Sequence, residues 1–228
     1  MTHAELSAID ACVFDAYGTL FDAGSAAKRC ADALGAKADA LAAQWRTSQL
    51  QYTWLRSLMG RHADFWQVTG EALDFAMDAL GIADAALKKR LMDLYLELSA
   101  YPDAAVALAA LRRAKRPAAI LSNGTPKMLA AAVKSAGLGA LLDPVLSVEE
   151  IGLYKPHPRV YQLAVDRLGI KPDHICFVSS NGWDVAGASA FGFKAVWVNR
   201  AGAKTERLPA RPIAQINRLD ELSALLGI

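Results

Sequence analysis

Five short apolar runs rich in β-branched and aromatic residues recur along the chain, and they constrain its fold more than any other feature. They are IDACVF (9–14), PAAIL (117–121), PVLSV (144–148), HICFVSS (174–180) and KAVWVN (194–199). Such runs are apolar on both faces, so each needs cover on two sides. Between the later ones lie helical patterns, PKMLAAAVKSAGL, HPRVYQLAVDRLG and WDVAGASAFG, several ending at a glycine as helices often do. Strand–helix alternation of this kind predicts an α/β fold, a parallel sheet with helices on both faces.

The stretch from about Gly24 to Ala100 interrupts that rhythm. It is helical in pattern, rich in Ala, Leu and Trp, and contains no convincing strand. It reads as a helical cap inserted after the first strand. AYPDAAVALAALRRA then returns the chain to the core, with Pro102 opening a helix. The expected division is a Rossmann-like core of residues 1–23 and 100–228, with a cap of 24–99.

Composition removes several classes of function. The 228 residues are 54% hydrophobic, enough for a full core. Net charge is +2 with no basic run, which argues against nucleic acid. The start, MTHAELSAIDACVF, lacks a charged segment followed by an apolar one, and no long unbroken apolar run exists, so neither secretion nor a membrane is expected. Three widely spaced cysteines (Cys12, Cys30 and Cys176) cannot all pair within one chain, and no CxxC is present. Cys12 and Cys176 lie in strand-like runs and read as buried free thiols in a reducing cytoplasm. His3, His62, His157 and His174 form no metal-spaced cluster, and there is no G-x-S-x-G elbow or Gly-rich nucleotide loop.

In open parallel sheets, ligands bind at the carboxyl ends of the strands. The residues just after each run are therefore the candidates. They are Asp15 and Tyr17, Ser122 and Asn123, Lys155, and Ser179, Ser180, Asn181 and Asp184. Two carboxylates, one ammonium and several hydroxyl or amide groups should meet there.

At these residues the sequence resembles the haloacid dehalogenase superfamily. FDAYGTL, LSNG, YKPHPRVY and FVSSNGWD, with the cap segment WRTSQLQYTWLRSLM, look most like its L-2-haloacid dehalogenase branch. The resemblance runs from Ala11 to about Asn199 and implies a HAD-like fold. Phosphatases of this superfamily carry Asp-x-Asp after the first strand and paired acids after the fourth. Here Tyr17 replaces the second Asp, and Ser179-Ser180-Asn181 precedes a single acid, Asp184. A hard divalent cation wants several oxygen ligands, so no metal and no cofactor are expected.

The resemblance implies hydrolysis of short-chain (S)-2-haloacids to (R)-2-hydroxy acids and halide, with the haloacid and water as small-molecule partners. Asp15 would be the nucleophile that forms an ester at C2. Lys155 would hold the charge of Asp15, and Asp184 would activate the ester-cleaving water. Ser179 and Asn181 would orient Asp184, Lys155 or the water, and Thr19 would hydrogen-bond the nucleophile. Tyr161 resembles a tyrosine near the lysine. Ser122 would bind the substrate carboxylate. Asn123, Trp183 and Arg46, the last reaching down from the cap, would hold the halide. Tyr17, Leu50, Phe65 and Trp183 would line an apolar pocket. Thr47 stands where relatives often carry glutamine. Tyr52, Trp54 and Trp66 read as cap packing or dimer contact, since such families commonly form homodimers through the cap.

Plainer readings stand beside these. Asp15 suits an Asx-turn, Asp184 a helix N-terminal acid, Ser122-Asn123-Gly124 a turn, Arg46 and Lys155 the surface, and the aromatics a core. A magnesium-dependent phosphatase of the same fold is the alternative enzyme, and a non-catalytic binding protein the alternative from another class.

Overall fold

A computed structural model describes residues 4–228. Its centre is a six-stranded parallel sheet in the order β3-β2-β1-β4-β5-β6. The strands are β1 (Ala11–Phe14), β2 (Ala118–Ser122), β3 (Val145–Ser147), β4 (Ile175–Ser179), β5 (Lys194–Val198) and β6 (Ala214–Ile216). The first five fall within the five predicted runs, save that Ser122 extends β2 by one residue. Every residue of β1, β2 and β4 is buried, as a strand covered on both faces must be. Register places Cys12 beside Ala118 on one side and Cys176 on the other. The three cysteines are buried and free.

Five helices follow β1 in succession: α1 (Ser25–Lys28), α2 (Ala31–Leu34), α3 (Ala38–Met59), α4 (Phe65–Ala79) and α5 (Ala85–Tyr95). The two long ones pack on each other. Asp64 and Asp84 cap α4 and α5, their carboxylates accepting from the backbone N–H groups of Gln67 and Leu87. The chain leaves the sheet and returns to it at neighbouring points. Phe21 bridges to Ala100, the Asp22 N–H donates to the Ser99 carbonyl (2.9 Å), and that of Tyr101 to Leu20 (2.9 Å). To the core, the cap is a loop with adjacent ends.

After the cap come α6 (Pro102–Arg113), α7 (Pro126–Ser135), α8 (Pro158–Leu168), α9 (Gly182–Phe191) and α10 (Leu222–Leu226). Pro stands at the first helical position of α6, α7 and α8, where no N–H is needed. Left-handed Gly169 and Gly192 end α8 and α9. Right-handed crossovers put α6 and α7 on one face, and α8 and α9 on the other, because the chain reverses direction across the sheet after β3. That reversal makes β1 and β4 neighbours at the topological switch point, where a crevice opens at the strand ends. No helix among the described residues is long and apolar enough to cross a membrane.

Candidate active site

Asp15 follows the last residue of β1 and is only 6% exposed. Its two carboxylate oxygens have different surroundings. Oδ2 accepts from the Thr19 hydroxyl (3.0 Å) and from Asn181 Nδ2 (2.9 Å), while Oδ1 meets Lys155 Nζ (3.2 Å). Thr19 is itself positioned by the Ser180 N–H, which donates to its hydroxyl (2.8 Å). Gly18 has φ +90°, a left-handed turn open to glycine, and it swings the chain so that Thr19 faces back to Asp15.

Lys155 is 1% exposed and lies between two carboxylates, with Nζ 2.9 Å from Asp184 Oδ2. Burial pulls the ammonium down, but the charges of Asp15 and Asp184 outweigh it, so its pKa lies above that of an ordinary lysine. Its backbone N–H donates to Asn123 Oδ1 (3.1 Å), which ties the β2 and β3 loops together. Asp184, fully buried in the first turn of α9, takes Lys155 on one oxygen and the Tyr161 hydroxyl (2.8 Å) on the other. Desolvation raises its pKa, against the pull of Lys155, and the nearby Asp15 charge raises it further. Tyr161, expected near Lys155, has Asp184 as its direct partner. Its phenol is pushed well above the usual value by burial and then by that carboxylate.

Asn181 sits at the N-cap of α9 yet does not cap it with its side chain. Its amide is turned to Asp15 and to Arg46, whose Nη2 donates to Asn181 Oδ1 (3.3 Å). Among the residues expected to be oriented by Asn181 and Ser179, Asp184 and Lys155 are therefore not its side-chain partners. Ser179 Oγ accepts the Asn181 N–H (3.1 Å), fixing the turn itself. Ser122 is fully buried, and its hydroxyl accepts the Gly124 N–H (3.1 Å).

Arg46 reaches this crevice from α3, joining cap and core. Tyr17, Phe65 and Tyr95 form an aromatic wall beside it, with Tyr17 stacked on Tyr95 (centroids 5.5 Å) and tilted against Phe65 (5.7 Å). The Tyr17 hydroxyl is buried with no hydrogen-bond partner among the described residues, and burial holds its pKa well above the usual phenol value. Gly124 makes room for that ring: a Cβ there would lie 2.8 Å from it. Trp183 is half-buried, lines a cavity with Lys155 and Tyr154, and packs edge-on against Trp54 (5.5 Å). Leu50 is half-buried one turn beyond Arg46. Thr47, next to Arg46 in sequence, is exposed. Tyr52 packs edge-on against Phe75, and Trp66 lies against the core cluster, both as cap packing. Among the described residues no three His, Cys, Asp or Glu side chains converge on a point; His3 lies outside them.

Gln49, Thr69 and Tyr95 belong to this site and were not expected there. Tyr95 comes from the far end of α5, and only the three-residue spacing of Arg46 and Gln49 on one helix hinted at contact.

Known proteins carry the same framework. The family described as haloacid dehalogenase-like hydrolase matches residues 9–192. The protein named (S)-2-haloacid dehalogenase 1 from Pseudomonas sp. (strain CBS-3) is 52% identical over 96% of this chain and 96% of its own. A solved dehalogenase with an intermediate complex superposes with TM-score 0.95 at 51% identity, covering 97% of this chain and 99% of that one. The L-2-haloacid dehalogenase of Xanthobacter autotrophicus with chloropropionic acid covalently bound superposes with TM-score 0.87 at 40% identity, covering 96% and 98%. At such identity and coverage the relation is one of family as well as of fold: this chain belongs to the haloacid dehalogenase-like hydrolases, in their (S)-2-haloacid dehalogenase branch.

Proposed function

We propose that this protein hydrolyses short-chain (S)-2-haloacids to (R)-2-hydroxy acids and halide, through an ester on Asp15 and without a metal. The unequal surroundings of the Asp15 oxygens carry the reading. Thr19 and Asn181 occupy Oδ2, and among the described residues Oδ1 meets only Lys155, so Oδ1 keeps a lone pair for carbon. It attacks C2 in line. The Oδ1–C2 bond forms, the C2–halogen bond breaks, and halide leaves with the bonding pair on the side of Arg46, Asn123 and Trp183. Ser122 and the turn after β2 receive the substrate carboxylate. Tyr17, Leu50, Phe65 and Trp183 surround the alkyl part and keep water away.

Water then attacks the ester at Cγ of Asp15. Asp184 takes its proton and returns one to the departing hydroxyl oxygen, so C2 keeps its inverted configuration. Burial raises the Asp184 pKa, which favours it as a proton acceptor. Lys155 holds both carboxylates apart and charged, Tyr161 orients Asp184, and Ser179 sets the turn that delivers Asn181. A magnesium phosphatase fits less well: Lys155 fills the space between the carboxylates, and Tyr17 stands where such enzymes place an acid.

The cap is taken as residues 24–99 and the core as 1–23 and 100–228. The exposed apolar side chains Leu55, Leu58, Met59 and Phe75 on α3 and α4 support a homodimer joined through the cap. Three buried free cysteines support a cytoplasmic site of action. The decisive assay is halide release from (S)- and (R)-2-chloropropionate in EDTA, beside Asp15→Ala. Release from the (S) form alone, reduced about 10⁴-fold or more in the variant, is expected. Magnesium-dependent phosphate release from phosphate esters, with no halide release, would overturn the reading.

A further inference from the structure

Arg46 enters a partly open region, and something must aim it. It borders a cavity of about 240 Å³ whose lining includes Gly18, Asp22, Gly24 and Tyr101. The Asp22 carboxylate in that lining is already taken by the Gly24 N–H (3.0 Å) and Lys28 (3.1 Å). The side chain that holds the guanidinium is Gln49, which is 1% exposed. Its Oε1 accepts from Arg46 Nη1 at 2.8 Å.

The orientation of the Gln49 amide is dictated by its other neighbours. Thr69 Oγ1 has one proton, and it donates that proton to the Phe65 carbonyl (2.6 Å). Thr69 can therefore only accept from Gln49, whose Nε2 donates to it at 2.7 Å. The amide nitrogen faces Thr69, so the oxygen must face Arg46. Tyr95 Oη closes the remaining side, 3.2 Å from Nε2. A chain of bonds thus runs from the backbone of α4 through Thr69 and Gln49 to the guanidinium, and on through Nη2 to Asn181 beside the nucleophile.

We infer that Gln49 is a positioning residue that fixes Arg46 as the acceptor of the departing halide, an assignment that rests on the dehalogenase reading. Held in this way, Nη1 and Nη2 are both engaged on known partners, and the plane of the guanidinium is set before substrate arrives. Preorganised charge acts without reorganising during the reaction, and that advantage is what a loose Arg46 would forfeit. The help is greatest for chloride, the poorer leaving group, on which more charge develops for a given bond extension.

The test is single-turnover halide release from (S)-2-chloro- and (S)-2-bromopropionate with enzyme in excess, so that displacement and not ester hydrolysis is read. Gln49→Leu is expected to slow the chloro substrate roughly tenfold, less than the about 10²–10³ of a direct donor, and the bromo substrate distinctly less. Gln49→Met keeps the size but removes the acceptor that holds Arg46, and the chloro-to-bromo ratio is expected to fall again. That variant decides the matter alone if Gln49→Leu does not fold. A merely structural role would slow both halides equally, so variants that keep the wild-type ratio overturn the inference. A wild-type protein that releases no halide from either substrate overturns the dehalogenase reading instead, so the two failures are told apart.

Discussion

Asp184 and Lys155 are more deeply buried than acids and amines usually are, and their chemistry follows from that. Burial raises the Asp184 pKa, the charge of Asp15 adds to it, and Lys155 and the Tyr161 hydroxyl oppose it. In the ester Asp15 is neutral, so burial is the raising cause that remains when Asp184 acts, and this base works only when ionised. The acid limb of kcat is therefore expected above the ordinary aspartate value of about 3.9. Tyr161 donates to the carboxylate and so favours its charged form. Tyr161→Phe removes that donor, and the acid limb is expected to move to still higher pH. A kcat profile of wild type and variant checks the direction; a shift to lower pH contradicts it. Lys155 titrates in the opposite region. Its pKa is raised, so its charge is retained through neutrality and disappears only in strong alkali.

At the scale of elements, the site depends on how closely α8 and α9 approach. Gly187 lies inside α9, where glycine is unfavourable for the helix itself. A Cβ at that position would lie 2.6 Å from Pro156 Cβ and 2.6 Å from the Tyr161 hydroxyl. Its absence lets α9 carry Asp184 against both Tyr161 and the Lys155-Pro156 loop. Gly187→Ala is expected to lower stability by about 1–3 kcal/mol and to reduce kcat by displacing Tyr161. Thermal unfolding and steady-state rates test the two effects separately. The first five strands, the helical insertion and the residues at the strand ends were legible in the sequence, because apolar runs and strand-end polar groups leave strong local patterns. β6 and α10 were not. Ala214–Ile216 has the polar, exposed Gln215 at its centre and so makes no apolar run, and Leu222–Leu226 is too short for helical periodicity to register. Nor were Thr69 and Tyr95 foreseen at the site, since each reaches it only through tertiary packing of separate cap helices.

Across the whole molecule, cap and core are joined by bonds that bracket the crevice. Glu149, after β3, accepts from the Phe65 N–H (3.1 Å) and pairs with His62 (2.8 Å), while the Tyr154 N–H donates to Ser57 (3.1 Å). At the end of α3, Leu58 is 84% and Met59 63% exposed, and Leu58 also lines the cavity of Lys155 and Trp183. If two copies meet there, Leu58→Asp yields a monomer, and sedimentation velocity at matched concentrations is expected to show the mass halved. An unchanged mass places any interface elsewhere. Three charged groups surround the nucleophile Asp15. Asp15 and Asp184 are balanced by Lys155 and Arg46, so the charges of these four sum to zero and a bound substrate adds one negative charge. Displacement neutralises Asp15 and creates a halide, and that total does not change. The reaction is thus a transfer of one negative charge across a carbon atom, from the Lys155 wall to the Arg46 wall. With no net charge among these groups to draw the anion from a distance, dissolved salt should leave both capture of the substrate and the rate of the bond exchange nearly untouched.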